Sequence, residues 1–196
     1  MIVFGWGAAP LVFLYWLENL VIGAVTLARM IASGAAKGGG GIGRLLFLVP
    51  FFTVHYGMFC FGHGMFINVL ATENLGGLET GNIITVYGEL IQQALLSGAH
   101  MSNFILLILG FNGFLFVVDY IGKGEFLRTD PSKEMFAPYG RIALLHVALF
   151  AGMFALISFG EPMIGVLALI VLRAAWGVVQ SVYRRLRLDQ KVDAVS

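Results

Sequence analysis

Five apolar stretches, each long enough to cross a lipid bilayer as a helix, constrain this chain more than any other feature. A crossing helix needs about 20 mainly apolar residues, and it satisfies its own backbone hydrogen bonds in lipid. The chain is 59% hydrophobic and 12% charged, whereas soluble domains carry about 25% charged residues. The sequence therefore predicts an all-α fold, a polytopic transmembrane helical bundle forming one domain. The five spans are expected at about residues 10–32, 44–70, 100–121, 139–159 and 163–183 of the 196.

The segments between these spans differ in character. The Gly-rich stretch Ser33–Gly43 is expected to be a flexible connector. Residues 83–96 place apolar side chains at helical spacing but include Glu89, Gln92 and Gln93. This pattern predicts one further helix that is interfacial or re-entrant.

Basic residues cluster in every second connection. Lys37 and Arg44 lie at the first connection, and the third connection and the tail at residues 184–196 are also basic, whereas the second and fourth connections carry only acids. The protein is expected in a cell inner membrane. The positive-inside rule then places its N-terminus outside and its C-terminus in the cytoplasm. The net charge of +1 gives no basic footprint for nucleic acid. The expected partners are the lipid bilayer and either further copies of the chain or a larger membrane complex.

Ionisable residues inside the apolar spans are the candidate functional residues, because a charge in hydrocarbon is costly. Converting sequence position to depth puts Glu18 and His63 at one level, and His55 and His146 at a deeper level. Neutral imidazole is the commonest metal ligand, and a carboxylate often orients it. These four residues are therefore candidates to bind a metal ion or haem, with His55 and His146 as axial candidates for haem or His63 with Glu18 on a metal ion. His55 and His63 are eight positions apart, so they do not bind one ion from a regular helix.

Two other interpretations of the same residues stay open. In one, the histidines and Glu18 hold helices together by hydrogen bonds. In the other, they form a relay for protons or a substrate. The leading hypothesis is a small membrane subunit or binding protein, and the alternative is a transporter or proton-linked membrane enzyme. Small or amide side chains beside the histidines and Glu18 are candidates for binding or close helix packing: Asn19, Gly57, Gly62 and Gly64.

Several short motifs carry a family resemblance. They are Gly5-Trp6, Tyr15-Trp16-Leu17-Glu18-Asn19, Pro50-Phe51-Phe52, His55-Tyr56-Gly57 and Phe61-Gly62-His63-Gly64. The chain resembles an uncharacterised prokaryotic family of polytopic integral membrane proteins. The resemblance implies a small multi-span membrane protein, points to Glu18, Asn19, His55 and His63, and supplies no activity. The aromatic ring of Trp16 is expected in the belt at a membrane interface.

Overall fold

The computed structural model describes residues 8–72 and 81–140, and beyond them residues 142, 143, 146, 147, 150, 154 and 158. Every regular element within these residues is a helix, and they contain no strand. The chain forms two compact units, residues 1–139 and 140–196. The all-helical part of the fold prediction is therefore confirmed for the described residues, while the expected single domain stays a prediction.

The first two helices, α1 (Ala8–Ala35) and α2 (Gly38–Thr72), form a hairpin with a two-residue connection. The prediction of a flexible connector at Ser33–Gly43 is wrong, because all six of its glycines belong to one helix or the other. Gly38 has φ +65°, a conformation that glycine adopts without strain, and it reverses the chain. A Cβ on Gly41 would overlap the carbonyl oxygen of Gly34, so these glycines let two helix ends meet closely.

The helix expected between the second and third spans is present as α3 (Ile83–Leu96). Asn82 caps its N-terminus, since the side-chain oxygen accepts hydrogen bonds from the backbone N–H groups of Ile84 and Thr85. At about 1.5 Å per residue its 14 residues rise about 21 Å, too little to cross a bilayer. The ring of Tyr87 lies 6.2 Å from that of Trp16, so α3 packs beside the first third of α1.

The next helix, α4 (Met101–Leu115), continues as a π-helical segment, Phe116–Ile121. Two short helices follow, α5 (Glu125–Arg128) and α6 (Pro131–Phe136). Asp130 caps α6 by accepting a hydrogen bond from the backbone N–H of Ser132. The third connection between the predicted spans is thus folded into two short helices.

Three helices among the described residues are long and apolar enough to cross a membrane: Ala9–Ala35, Gly38–Val69 and Met101–Ile121. They correspond to the first three predicted spans. The fourth and fifth predicted spans lie outside the described residues, apart from a few positions of the fourth.

Within the first unit, residues 1–139, α1 is central and contacts every other described element. The Met101–Ile121 helix lies at the opposite extreme, with only 6% of its most apolar window buried.

Candidate functional site

The aromatic motif of α1 packs into α2. Trp16 is fully buried, and its indole N–H donates a hydrogen bond to the backbone carbonyl of Cys60 at 2.7 Å. Gly64, one turn further along α2, leaves the space for the indole, because a Cβ there would lie 2.6 Å from Trp16 Cζ2. The neighbouring helix thus satisfies the polar atom of the indole, and the place of Trp16 in an interface belt stays a prediction.

Asn19 belongs to the same helix contact. The hydroxyl of Tyr56 donates to the Asn19 backbone oxygen at 2.9 Å, and the buried Asn19 amide donates to the Tyr15 carbonyl at 3.1 Å. Gly23 lies under the Tyr56 ring, where a Cβ would come within 2.6 Å of Tyr56 Cε1. The Tyr56 hydroxyl therefore joins α2 to the backbone of α1, while the Asn19 side chain bonds within α1. Of the two uses predicted for Asn19, binding or helix packing, the described contacts show packing.

The contacts of Trp16 and Tyr56 fix the antiparallel register of the hairpin. Since Trp16 faces Gly64 and Asn19 faces Tyr56, Glu18 lies within about one helical turn of the level of His63. Glu18 is half-buried and His63 is buried. Among the described residues, however, no three His, Cys, Asp or Glu side chains come together in a way that could hold a metal ion.

His55 lies in a series of rings along one side of α2. Its imidazole stacks on Phe51 at a centroid distance of 5.2 Å and on Tyr139 at 6.0 Å, and meets Phe59 edge-on at 4.9 Å. The series continues to His63, whose ring lies 6.5 Å from that of Phe59. Spacings of four residues bring successive side chains onto one face of a helix. His55 is half-buried, and its contacts with the described residues are ring contacts.

The three glycines predicted to permit close approach behave differently. Gly64 is packed against Trp16, as described above, whereas Gly57 and Gly62 have no atom within 4 Å of a Cβ position among the described residues. Of these three glycines, only Gly64 takes part in a close helix contact among the described residues.

His146 belongs to the second unit. Its Nδ1 lies 2.8 Å from the carbonyl oxygen of Ile142, one turn earlier. When Nδ1 carries the proton and donates to this carbonyl, Nε2 holds the lone pair. This orientation suits a ligating histidine, and the haem hypothesis for His55 and His146 stays a prediction.

A polar cluster that sequence reasoning missed joins the hairpin connection to α6. The Oδ2 atom of Asp130 lies 3.0 Å from both Lys37 Nζ and Arg44 Nη1. Lys37 and the backbone N–H of Ser132 stabilise the charged carboxylate and lower the pKa of Asp130 to about 2. The Asp-Pro pair at 130–131 is a signal for a helix start that could have revealed the cap, although not its cationic partners.

Tyr120 joins the π-helical segment to α1 beside this cluster. Its hydroxyl donates to the backbone oxygen of Arg29 at 3.1 Å, so Thr129 is the donor in the second 3.1 Å contact, with the Tyr120 oxygen. The Arg29 guanidinium lies 5.0 Å from the centre of the Tyr120 ring, within the range of a cation–π contact.

Comparison with known proteins assigns a family and no activity. Residues 1–194 match a family of unknown function, DUF6498, and the chain belongs to that family. Searches of curated proteins and of solved structures gave no match.

Proposed function

We propose that this member of a family of unknown function is a polytopic protein of a prokaryotic inner membrane. The three long helices of the described residues are apolar, and exposed large side chains such as Leu46, Leu107 and Phe111 cover much of α2 and α4. Soluble monomers rarely expose contiguous apolar patches above a few hundred Å². Lipid, or helices of a partner, would cover this surface. The five-span arrangement with an outer N-terminus and a cytoplasmic C-terminus belongs to this proposal.

The ion pairs of Asp130 support the proposed sidedness. They bring the Ala36–Lys37 connection and the segment between α4 and α6 together. In an alternating topology these are the first and third connections, which have to lie on one side. Both are basic, and the positive-inside rule makes that side cytoplasmic.

Within the membrane, we propose that the protein acts as a binding protein or membrane subunit, with His55 as its ligand-contacting residue. The observation that carries this proposal is the environment of His55. The side chains of Trp16 and Tyr56 hold α1 to α2, and that of Asn19 bonds within α1. Among the described residues the His55 imidazole, by contrast, makes only ring contacts. A polar group without a hydrogen-bond partner in hydrocarbon is costly, so an imidazole kept there indicates a function.

A metal ion or haem is one ligand class for this protein. Glu18, His55, His63 and His146 remain its proposed ligands. The Nδ1 contact of His146 with the Ile142 carbonyl favours a haem ligand, because it directs the Nε2 lone pair away from its own helix. A haem needs one or two axial ligands, so it does not require the group of three acidic, thiol or imidazole side chains that a typical metal site uses.

The test is to purify the full chain in detergent, record its visible spectrum, and measure its metals and extractable small molecules. We expect a bound species whose amount falls in His55→Ala and stays unchanged in His100→Asn, a change at an exposed histidine outside the long helices. A Soret band lost in His55→Ala or His146→Ala would identify haem. A preparation with no bound species in any of these measurements would overturn the binding function.

A further inference from the structure

His55 lies near the middle of the long helix α2, at a position that only a lipid-soluble molecule reaches from the bilayer. It is 17 residues from Gly38 and 14 from Val69, the limits of the apolar helix. At about 1.5 Å per residue these separations are about 26 and 21 Å. With the membrane placement proposed above, a ligand of His55 enters sideways from lipid.

The imidazole offers hydrogen bonding that the described residues do not use. A neutral histidine carries one N–H donor and one acceptor nitrogen. His55 contacts the rings of Phe51, Phe59 and Tyr139, and among the described residues it makes no hydrogen bond or ion pair. The side chain is half-buried, so part of it remains accessible. The site therefore offers one hydrogen bond within a group of flat aromatic surfaces.

The face of α2 beside His55 continues as an exposed apolar strip, made of Phe47, Phe51, Val54 and Met58 and ending at Gly62. The four side chains are 69%, 42%, 62% and 63% exposed, and Gly62 is open. Spacings of three and four residues keep them on one side of the helix. The strip is about 22 Å long, which is enough to lie along an extended hydrocarbon chain.

The charge of the site selects for a neutral ligand. No Asp, Glu, Lys or Arg occurs on α2 after Arg44. A charged ligand at this depth would have no counter-charge on the helix that contacts it, and transfer of an unpaired ion into hydrocarbon is strongly unfavourable. A planar ring with carbonyl oxygens would stack on the aromatic side chains and accept a hydrogen bond from the imidazole.

We propose that His55, Phe51 and Tyr139 bind the ring of a lipid-soluble quinone, with its apolar tail on the strip from Phe47 to Gly62. The inference rests on the binding function proposed above and names its ligand class. The His55 N–H donates to a quinone carbonyl, and the exposed face of Phe51 supports the ring. The strip then holds the tail parallel to α2.

Equilibrium dialysis with decylubiquinone tests this inference. The full chain is reconstituted in nanodiscs of phosphatidylethanolamine and phosphatidylglycerol, with empty nanodiscs as the blank. We expect saturable binding of one quinone per chain above the blank. His55→Phe keeps an aromatic ring in the stack but removes the donor, so affinity should fall about tenfold, which corresponds to about 1.4 kcal/mol. Thermal unfolding by circular dichroism establishes that the variant is folded.

Two matched variants sharpen the result. Val54→Asp introduces a charge into the strip beside His55 and should also weaken binding, whereas His100→Asn, outside the long helices, should leave binding unchanged. Binding that is equal in wild type and folded His55→Phe would overturn the site. Absence of saturable quinone binding, together with a His55-dependent haem, metal or other species in the purified protein, would overturn the quinone while leaving the binding function intact. Absence of both would overturn both.

Discussion

The indole of Trp16 fills the space that a side chain on Gly64 would occupy. A Cβ at this glycine would lie 2.6 Å from Trp16 Cζ2 and 2.9 Å from Cε2, too close for either ring atom. The same indole donates to the carbonyl of Cys60 one turn earlier. One residue of α1 thus fixes both the distance between the helices and their register, which makes Gly64 the sensitive position of this contact.

Replacing Gly64 by valine should therefore separate α1 from α2. We expect a loss of about 1–3 kcal/mol in the free energy of unfolding, the range of overpacking in well-packed interiors. Unfolding by SDS in mixed micelles, followed by circular dichroism, measures it. The matched control is Gly62→Val on the same helix, since nothing lies within 4 Å of a Cβ there among the described residues. Equal losses in the two variants would contradict the packing role of Gly64.

The hydroxyl of Tyr56 should contribute separately from its ring. Tyr56→Phe removes the donor to the Asn19 carbonyl, whose distance is 2.9 Å, and keeps the ring over Gly23. The free energy of unfolding should fall by about 1 kcal/mol, as expected for one buried hydrogen bond. Thr53→Val serves as the comparison, because its exposed hydroxyl bonds only to the Val49 carbonyl of its own helix. A loss in Thr53→Val as large as that in Tyr56→Phe would show that the bond between helices has no special weight.

Sequence patterns predicted where the helices lie better than they predicted which contacts their side chains make. The first three spans and the helix at residues 83–96 follow from long apolar runs and from helical spacing, and these features depend on local sequence. The prediction of a flexible connector at Ser33–Gly43 was wrong because a run of glycines is typical both of a flexible segment and of two helices that approach closely. Only the position of α2 against α1 shows that close approach, and not flexibility, applies to these glycines. For the same reason the hydrogen-bond partner of Trp16 could not be predicted, because the Cys60 carbonyl belongs to a different segment of the chain.

The candidate site was predictable only in its list of residues. Hydropathy identified His55, His63 and Glu18 as exceptional within their spans. It could not indicate that His55 would be surrounded by Phe51, Phe59 and Tyr139, since Tyr139 lies 84 positions away in the sequence. The Asp130 cluster was missed because its carboxylate and its cations come from two connections that look independent along the chain.

The proposed topology predicts which positions a membrane-impermeant maleimide reaches. Cys60 is the chain's single cysteine and is buried, so a Cys60→Ala background allows single cysteines to be placed elsewhere. In spheroplasts, Ala99→Cys, between α3 and α4, should be labelled from outside. Ala36→Cys and Lys133→Cys should react only after the membrane is permeabilised. Labelling of Ala36→Cys and Lys133→Cys from opposite sides would contradict the alternating arrangement.

Asp130 should hold α6 against the hairpin through its charge. Asp130→Asn removes the attraction to Lys37 and Arg44, and partly exposed ion pairs of this kind contribute up to about 1 kcal/mol each. Hydrogen–deuterium exchange of α5 and α6 should become faster in the variant near neutral pH. In the wild type, about 1 M salt, where the Debye length is about 3 Å, should produce part of the same increase. Asp119→Asn is the control, since its ion pair with Lys123 joins the π-helical segment to the turn that follows it and involves no residue of the hairpin.

The low pKa of Asp130 gives this contact a defined response to acid. A carboxyl group whose pKa is lower in the folded protein than in the unfolded chain stabilises the fold at pH values above its unfolded pKa. For Asp130, whose ordinary pKa is 3.8, the stabilisation is complete above that pH and is lost as the pH falls towards about 2. Between these values, exchange in α6 of the wild type should approach that of Asp130→Asn, once both are corrected for the intrinsic pH dependence of exchange. A difference that persists below pH 2 would contradict an electrostatic contact, because both side chains are then neutral.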